Sequence, residues 1–160
     1  MIMNWPGYLI SGFVATIALT TLLAVFRGGG MTRMDFSLML GTIFTYNRDR
    51  AKVIGFTLHF LLGWLFSLVY VLIFIQLGTQ ASFRLLGPML GLVHALFLLS
   101  VGMWILPSVH PRMASEDQGP EPTRQLEPPG YLAMNYGRQT PLAMVLAHVV
   151  YGAIIGWMYH

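Results

Sequence analysis

"VIGFTLHFLLGWLFSLVYVLIFIQL", residues 53–77, contains no charged side chain. At a helical rise of about 1.5 Å per residue it is long enough to cross a hydrocarbon core roughly 30 Å thick. A lone strand would leave its backbone unpaired in lipid, and the alternating segments of about ten residues that build a membrane barrel are absent. A transmembrane helix is therefore the reading.

Working outward, hydrophobic residues make up 56% of the 160 and charged residues only 9%. Soluble domains carry roughly 25% charged residues, and the mean hydropathy of +0.65 points the same way. The charges cluster, and the gaps between clusters predict spans at 7–26, 53–77, 85–106 and 141–159, with loops at 27–52 and 107–140. The expected fold is one all-α domain of four transmembrane helices. The first span is expected to be retained rather than cleaved, because "MIMNWP" (1–6) has no positive charge and no small-x-small site follows the apolar run.

Orientation follows from the basic residues. Arg27, Arg33, Arg48, Arg50 and Lys52 lie in the first long loop and Arg112, Arg124 and Arg138 in the second, while Arg84 alone lies on the other side. The positive-inside rule then makes both long loops cytoplasmic and turns both termini outward. Trp5, Tyr8, Trp157 and Tyr159 would form an aromatic belt at the outer interface. The net charge of +3 is explained by topology, so nucleic acid is not an expected partner.

A shift of 89 residues brings Gly41 onto Gly130, His59 onto His148, Gly63 onto Gly152 and Tyr70 onto Tyr159. This predicts a duplicated two-helix unit with parallel repeats. Each half would also carry a short interfacial helix. In "TRMDFSLMLGTIFT" (32–45), Phe36, Met39, Leu40 and Ile43 fall on one face, with Thr32 and Asp35 spaced as a capping box. "GYLAMNYGRQT" (130–140) is its expected counterpart, anchored by Tyr131, Leu132, Met134 and Tyr136. Between them lies "PSVHPRMASEDQGPEPTRQLEPP" (107–129), too proline-dense for a helix and holding four of the six acids. It reads as a solvated loop or as a docking segment, with His110, Arg112 and Glu127 as candidate partner contacts.

The candidate chemistry lies in the histidines. His59 is seven residues past Lys52 and His148 seven past Pro141, so both lie roughly 10 Å inside the loop-side boundary. His94 lies deeper, in the third span. Two histidines at one depth, with His94 as a third, could hold haem b or a transition metal such as zinc or copper. A proton or quinone role is a further alternative. The other reading is packing, with a neutral imidazole bonded to a carbonyl or to Ser11, Thr16, Thr20 or Thr21 of the first span. Gly63 lies one turn from His59, and Gly152/Gly156 and Gly87/Gly91 form G-x-x-x-G pairs suited to close helix approach. Packing is the reading the sequence favours. With no cysteine, disulfides, thiolate metal sites and iron–sulfur clusters are excluded. No nucleotide-binding loop or intramembrane acid suggests catalysis.

"GFVATIALT" (12–20), "MLG" (39–41), "GFTLHFLLGWLFSLVY" (55–70) and "LAHVVYGAIIGWMY" (146–159) resemble a group of bacterial four-span membrane proteins of unknown function. The resemblance covers most of the chain; the loop at 110–130 is longer than expected for that group. It implies a four-helix inner-membrane fold and assigns no activity or catalytic residue. A non-enzymatic accessory or assembly subunit of a larger membrane complex is the leading expectation, with membrane lipids and other membrane subunits as partners. A haem- or metal-binding protein and a small oligomeric transporter are the alternatives.

Overall fold

A computed structural model describes residues 2–77, 80–114 and 126–159. The acidic stretch holding Glu116, Asp117 and Glu121, together with Arg124 and His160, lies outside the described residues. Among these residues the chain is mostly helical, and the only strand-like pairing is a single bridge between Met113 and Leu126. In chain order the helices are α1 (Trp5–Gly28), α2 (Phe36–Gly41), α3 (Arg48–Leu77), α4 (Gln80–Phe97), α5 (Met103–Val109) and α6 (Thr140–Met158). A π-turn, Leu98–Gly102, joins α4 to α5, and a short 3-10 segment, Tyr131–Tyr136, precedes α6.

Four segments are long and apolar enough to cross a membrane: Trp5–Gly28, Arg48–Leu77, Ser82–Val109 and Thr140–Met158. The protein is an all-α, four-span membrane protein. Large apolar side chains such as Phe13, Leu61, Leu65 and Val93 are exposed, as they must be where the solvent is lipid.

Three spans are longer than the sequence suggests: the first by two residues at each end, the second and third each for a local reason. The second starts at Arg48 because the Asn47 side-chain oxygen accepts the backbone N–H groups of Asp49 and Arg50. Arg48, Asp49, Arg50 and Lys52 thus form its first turns rather than a loop, with Asp49 well placed for the helix dipole. The third continues through Pro107 to Val109. Proline removes one helical hydrogen bond and displaces one carbonyl. The ladder is already shifted one turn upstream, where the Met103 N–H bonds the Leu98 carbonyl five residues back.

The capping box predicted for α2 is replaced by a different cap. Asp35, not Thr32, is the N-cap, its carboxylate accepting from the Leu38 N–H at 3.0 Å. Thr32 is engaged elsewhere, sharing a 2.8 Å hydrogen bond with Thr140 and accepting from the Met34 N–H. The counterpart segment is not a regular helix. Leu132 and Ala133 both have left-handed backbone, at φ 49° and 61°. The aromatic belt is also modified: Trp5 and Trp157 are exposed, but Tyr159 is buried and its hydroxyl accepts from the Asn4 N–H.

The chain divides into two compact units. One comprises Met1–Val25, Phe60–Leu96 and Met144–His160; the other comprises Phe26–His59 and Phe97–Ala143. In the first unit, α4 and α6 meet backbone to backbone. A Cβ added at Gly87 would stand 2.2 Å from the Gly152 carbonyl oxygen, and one at Gly152 would stand 2.1 Å from that of Gly87. Gly91 faces the His148 carbonyl and Gly156 that of Phe83 in the same way. Only hydrogen fits at these four positions, which is how small-x-x-x-small pairs let helices approach in lipid. Gly63 is filled from the other side by the Thr16 side chain. Phe74, Phe83 and Tyr159 complete an aromatic core in this unit.

Candidate functional site

The first unit holds a buried polar cluster built around His148. Its Nδ1 lies 2.8 Å from the Met144 carbonyl, one turn earlier on α6. A carbonyl only accepts, so Nδ1 carries the proton and Nε2 carries the lone pair. The imidazole against it is that of His94, with ring centroids 5.0 Å apart and planes at 75°. His94 Nδ1 lies 3.2 Å from the Tyr70 hydroxyl, and its Nε2 is buried with no hydrogen-bond partner among the described residues. Phe66 packs on the same ring at 4.4 Å. Tyr70 sets its edge against Tyr151, whose hydroxyl donates to the Gly63 carbonyl.

The sequence paired His148 with His59 through the duplication. In the structure the ring beside His148 comes from His94, while His59 stacks on Phe36 in the other unit at 5.6 Å. Three of the four first-span hydroxyls proposed as partners bond their own helix. Ser11 donates to the Tyr8 carbonyl, Thr16 to Gly12 and Thr20 to Thr16. Tyr151 was not singled out from the sequence, and Tyr70 entered only as the repeat's match to Tyr159. Their only advance sign was a hydroxyl on an otherwise hydrocarbon span, a weak signal because tyrosine is also common at membrane interfaces.

The second unit contains a different kind of cluster. Arg112 donates through NH1 to the Thr42 carbonyl and, at 2.8 Å, to that of Ile43, and its guanidinium lies 3.8 Å from the Tyr46 ring centroid. His110 donates from Nε2 to the Met39 carbonyl at 2.9 Å and accepts the Arg112 N–H on Nδ1 at 3.1 Å. Both nitrogens are satisfied only in the neutral Nε2–H tautomer. Burial pushes His110 below the ordinary histidine range and the Arg112 charge adds to that, against the opposing pull of the Met39 carbonyl. Buried to 4% exposure, His110 is a structural element of the loop and not the surface contact expected of it.

Arg33 ties the two loop segments of this unit together. Its backbone N–H donates to the Tyr136 carbonyl, and its guanidinium bonds the Asn135 carbonyl and pairs with Glu127. Tyr136 donates to the Glu127 carbonyl. Burial raises this phenol to about 12, with the Glu127 charge adding and Arg33 opposing, so it remains a donor. Arg27 pairs with Asp35 at the end of α1. Gly41 and Gly55 bring α2 onto α3, each meeting a backbone carbonyl, of Ala51 and Ser37 respectively.

No group of three or more histidine and carboxylate side chains is positioned to hold a metal ion among the described residues. The T-shaped His94–His148 contact at 5.0 Å is also too close for a porphyrin between the rings. Fold and clusters together define a class: a four-span helical membrane protein with a close backbone seam in one unit and polar-clamped loops in the other. No family model, curated protein or solved structure matches the chain.

Proposed function

We propose that this is a non-enzymatic accessory or assembly subunit of a larger membrane complex, in the inner membrane of a bacterium, with its long loops on the cytoplasmic side. The observation that carries this reading is the Arg112 clamp. One guanidinium, through two carbonyls and an aromatic face, holds the segment after α2 in a defined shape. The same segment leaves Phe44 and Tyr46 more than half exposed. An ordered loop presenting aromatic side chains suits recognition by a neighbouring subunit, and aromatic residues are enriched at such contacts. Lipids of the surrounding bilayer complete the set of partners.

The test is purification from native membranes in mild detergent, with cross-linking and mass spectrometry. A defined set of co-purifying membrane subunits, cross-linked through the 42–46 segment, is the expected result. A lone monomer or homo-oligomer overturns it.

A second reading, as a metal-binding membrane protein, rests on the buried, unpartnered Nε2 of His94 beside the lone-pair Nε2 of His148. Two such nitrogens suit a soft monovalent ion rather than haem b. Elemental analysis of the purified protein tests this reading. A stoichiometric metal lost in His94→Ala and His148→Ala supports it, and no metal sinks it.

A further inference from the structure

The second unit carries an open cavity of about 590 Å³ that neither cluster fills. One wall is the irregular part of the third span: Leu99 and Ser100 from the π-turn, then Met103 and Pro107 from α5. The facing wall is the segment before α6, through Pro128, Gly130, Leu132 and Asn135. Trp104 and Tyr131 also line it and are 78% and 79% exposed, on its open side with Ser100, Ser108 and Asn135.

Both walls depart from regular backbone where they face the cavity. The π-turn adds one residue to a helical turn, a feature that often marks functional sites. Leu132 and Ala133 hold left-handed conformations that β-carbon residues avoid. Regular geometry would be the more stable choice at each place, and the two departures border the same space. The volume falls in the range of small-molecule sites, roughly 300–1,000 Å³.

The lining also defines the chemistry. Leu99, Met103, Pro107 and Leu132 supply an apolar floor, while Ser100, Ser108, Tyr131 and Asn135 supply hydroxyl and amide groups. None of the described lining residues is charged. Arg33, which bonds the Asn135 carbonyl, is paired with Glu127. An anionic phosphate headgroup would therefore find no free counter-charge in this lining. Leu99, Ser100, Met103, Trp104, Pro107 and Ser108 all belong to the third span, Ser82–Val109, so one wall of the cavity is itself part of a helix long and apolar enough to cross a membrane.

We propose that this cavity binds a neutral bilayer amphiphile, one with a carbonyl- or hydroxyl-bearing head and a hydrocarbon tail. The head bonds the Ser108 hydroxyl and the Asn135 amide, whose nitrogen also donates to the Pro128 carbonyl, and the tail leaves past Trp104 and Tyr131. An isoprenoid quinone and a diacylglycerol share this chemistry.

The full chain in phosphatidylcholine nanodiscs is labelled with diazirine analogues of a short-chain benzoquinone, a diacylglycerol and a phosphatidylglycerol, and the labelled peptides are mapped. Saturable labelling within 99–108 or 128–135 is expected from the quinone, the diacylglycerol or both, and whichever labels identifies the source. Ser108→Trp, at an exposed position in the lining, should cut that labelling at least ten-fold without changing the thermal unfolding temperature. Ser100→Leu, which fills the cavity from the π-turn, should do the same. Labelling that is diffuse and not competed by unlabelled probe overturns the proposal. So does labelling unchanged in both variants, or phosphatidylglycerol labelling as strong as that of the neutral probes.

Discussion

The two units are held together by opposite means. In the first, the α4–α6 seam has no side chain at its closest points: Gly87 faces Gly152 and Gly156 faces Phe83 through backbone alone. In the second, a few long polar side chains bridge the loops, Arg112 to Thr42 and Ile43, and Arg33 to Asn135 and Glu127. The difference follows from the backbone each has to pack. Between apolar helices in lipid there is little hydrophobic gain from association, so close contact and dispersion dominate. Between irregular loop segments, a charge can be held by carbonyls and an aromatic face while its stem covers apolar surface.

If the comparison is right, the largest effect comes from adding bulk to the seam. Gly152→Leu would drive its side chain into the Gly87 backbone, which cannot move without displacing α4. Destabilisation of about 3 kcal/mol or more is expected, read as loss of the folded state in thermal or SDS unfolding. A variant as stable as the parent would show that the seam is loose.

Arg112→Met keeps the apolar stem and removes the charge. It should cost about 2 kcal/mol, the scale of hydrogen bonds to a charged group. It should also open the 42–46 segment to limited proteolysis while leaving the spans helical by circular dichroism. Cleavage unchanged from the parent would mean that the clamp is dispensable.

The His110 effect is smaller and depends on pH. Because its folded value is lowered from the ordinary 6.5, the unfolded chain binds the extra proton more readily. Stability from this group is complete above about pH 6.5 and is lost as pH falls toward the lowered folded value. Protonation would also turn Nδ1 from acceptor to donor against the Arg112 N–H. His110→Gln should flatten the unfolding temperature between pH 7 and 5; parallel curves for the two proteins would contradict the assignment. Smallest of all is Arg33→Gln. The Arg33–Glu127 pair is largely exposed, so its ionic part should contribute no more than about 0.5 kcal/mol and fade with added salt.

The four spans and the glycine positions on α4 and α6 were legible because both depend on composition and spacing along a single helix. The histidine geometry was only half legible. The charge-free gaps located His94 and His148 within spans, but which imidazole meets which is decided by the crossing of α4 over α6. The duplication offered His59 as a partner on sequence symmetry alone. The left-handed Leu132 and Ala133 gave no advance sign, since neither residue type favours that conformation. The Arg112 clamp was hidden for a related reason: its acceptors are main-chain carbonyls of Thr42 and Ile43, and any sequence could supply those.

The π-turn at Leu98–Gly102 also has a meaning at the level of the gene. A bond reaching five residues back instead of four holds one residue more than a regular turn. Removing a single codon in this stretch would return the helix to uninterrupted phase, rotate everything after it by about 100°, and turn Met103 away from its present wall. Presence or absence of the cavity would then differ by three nucleotides, a character that can be scored by length alone in any related gene.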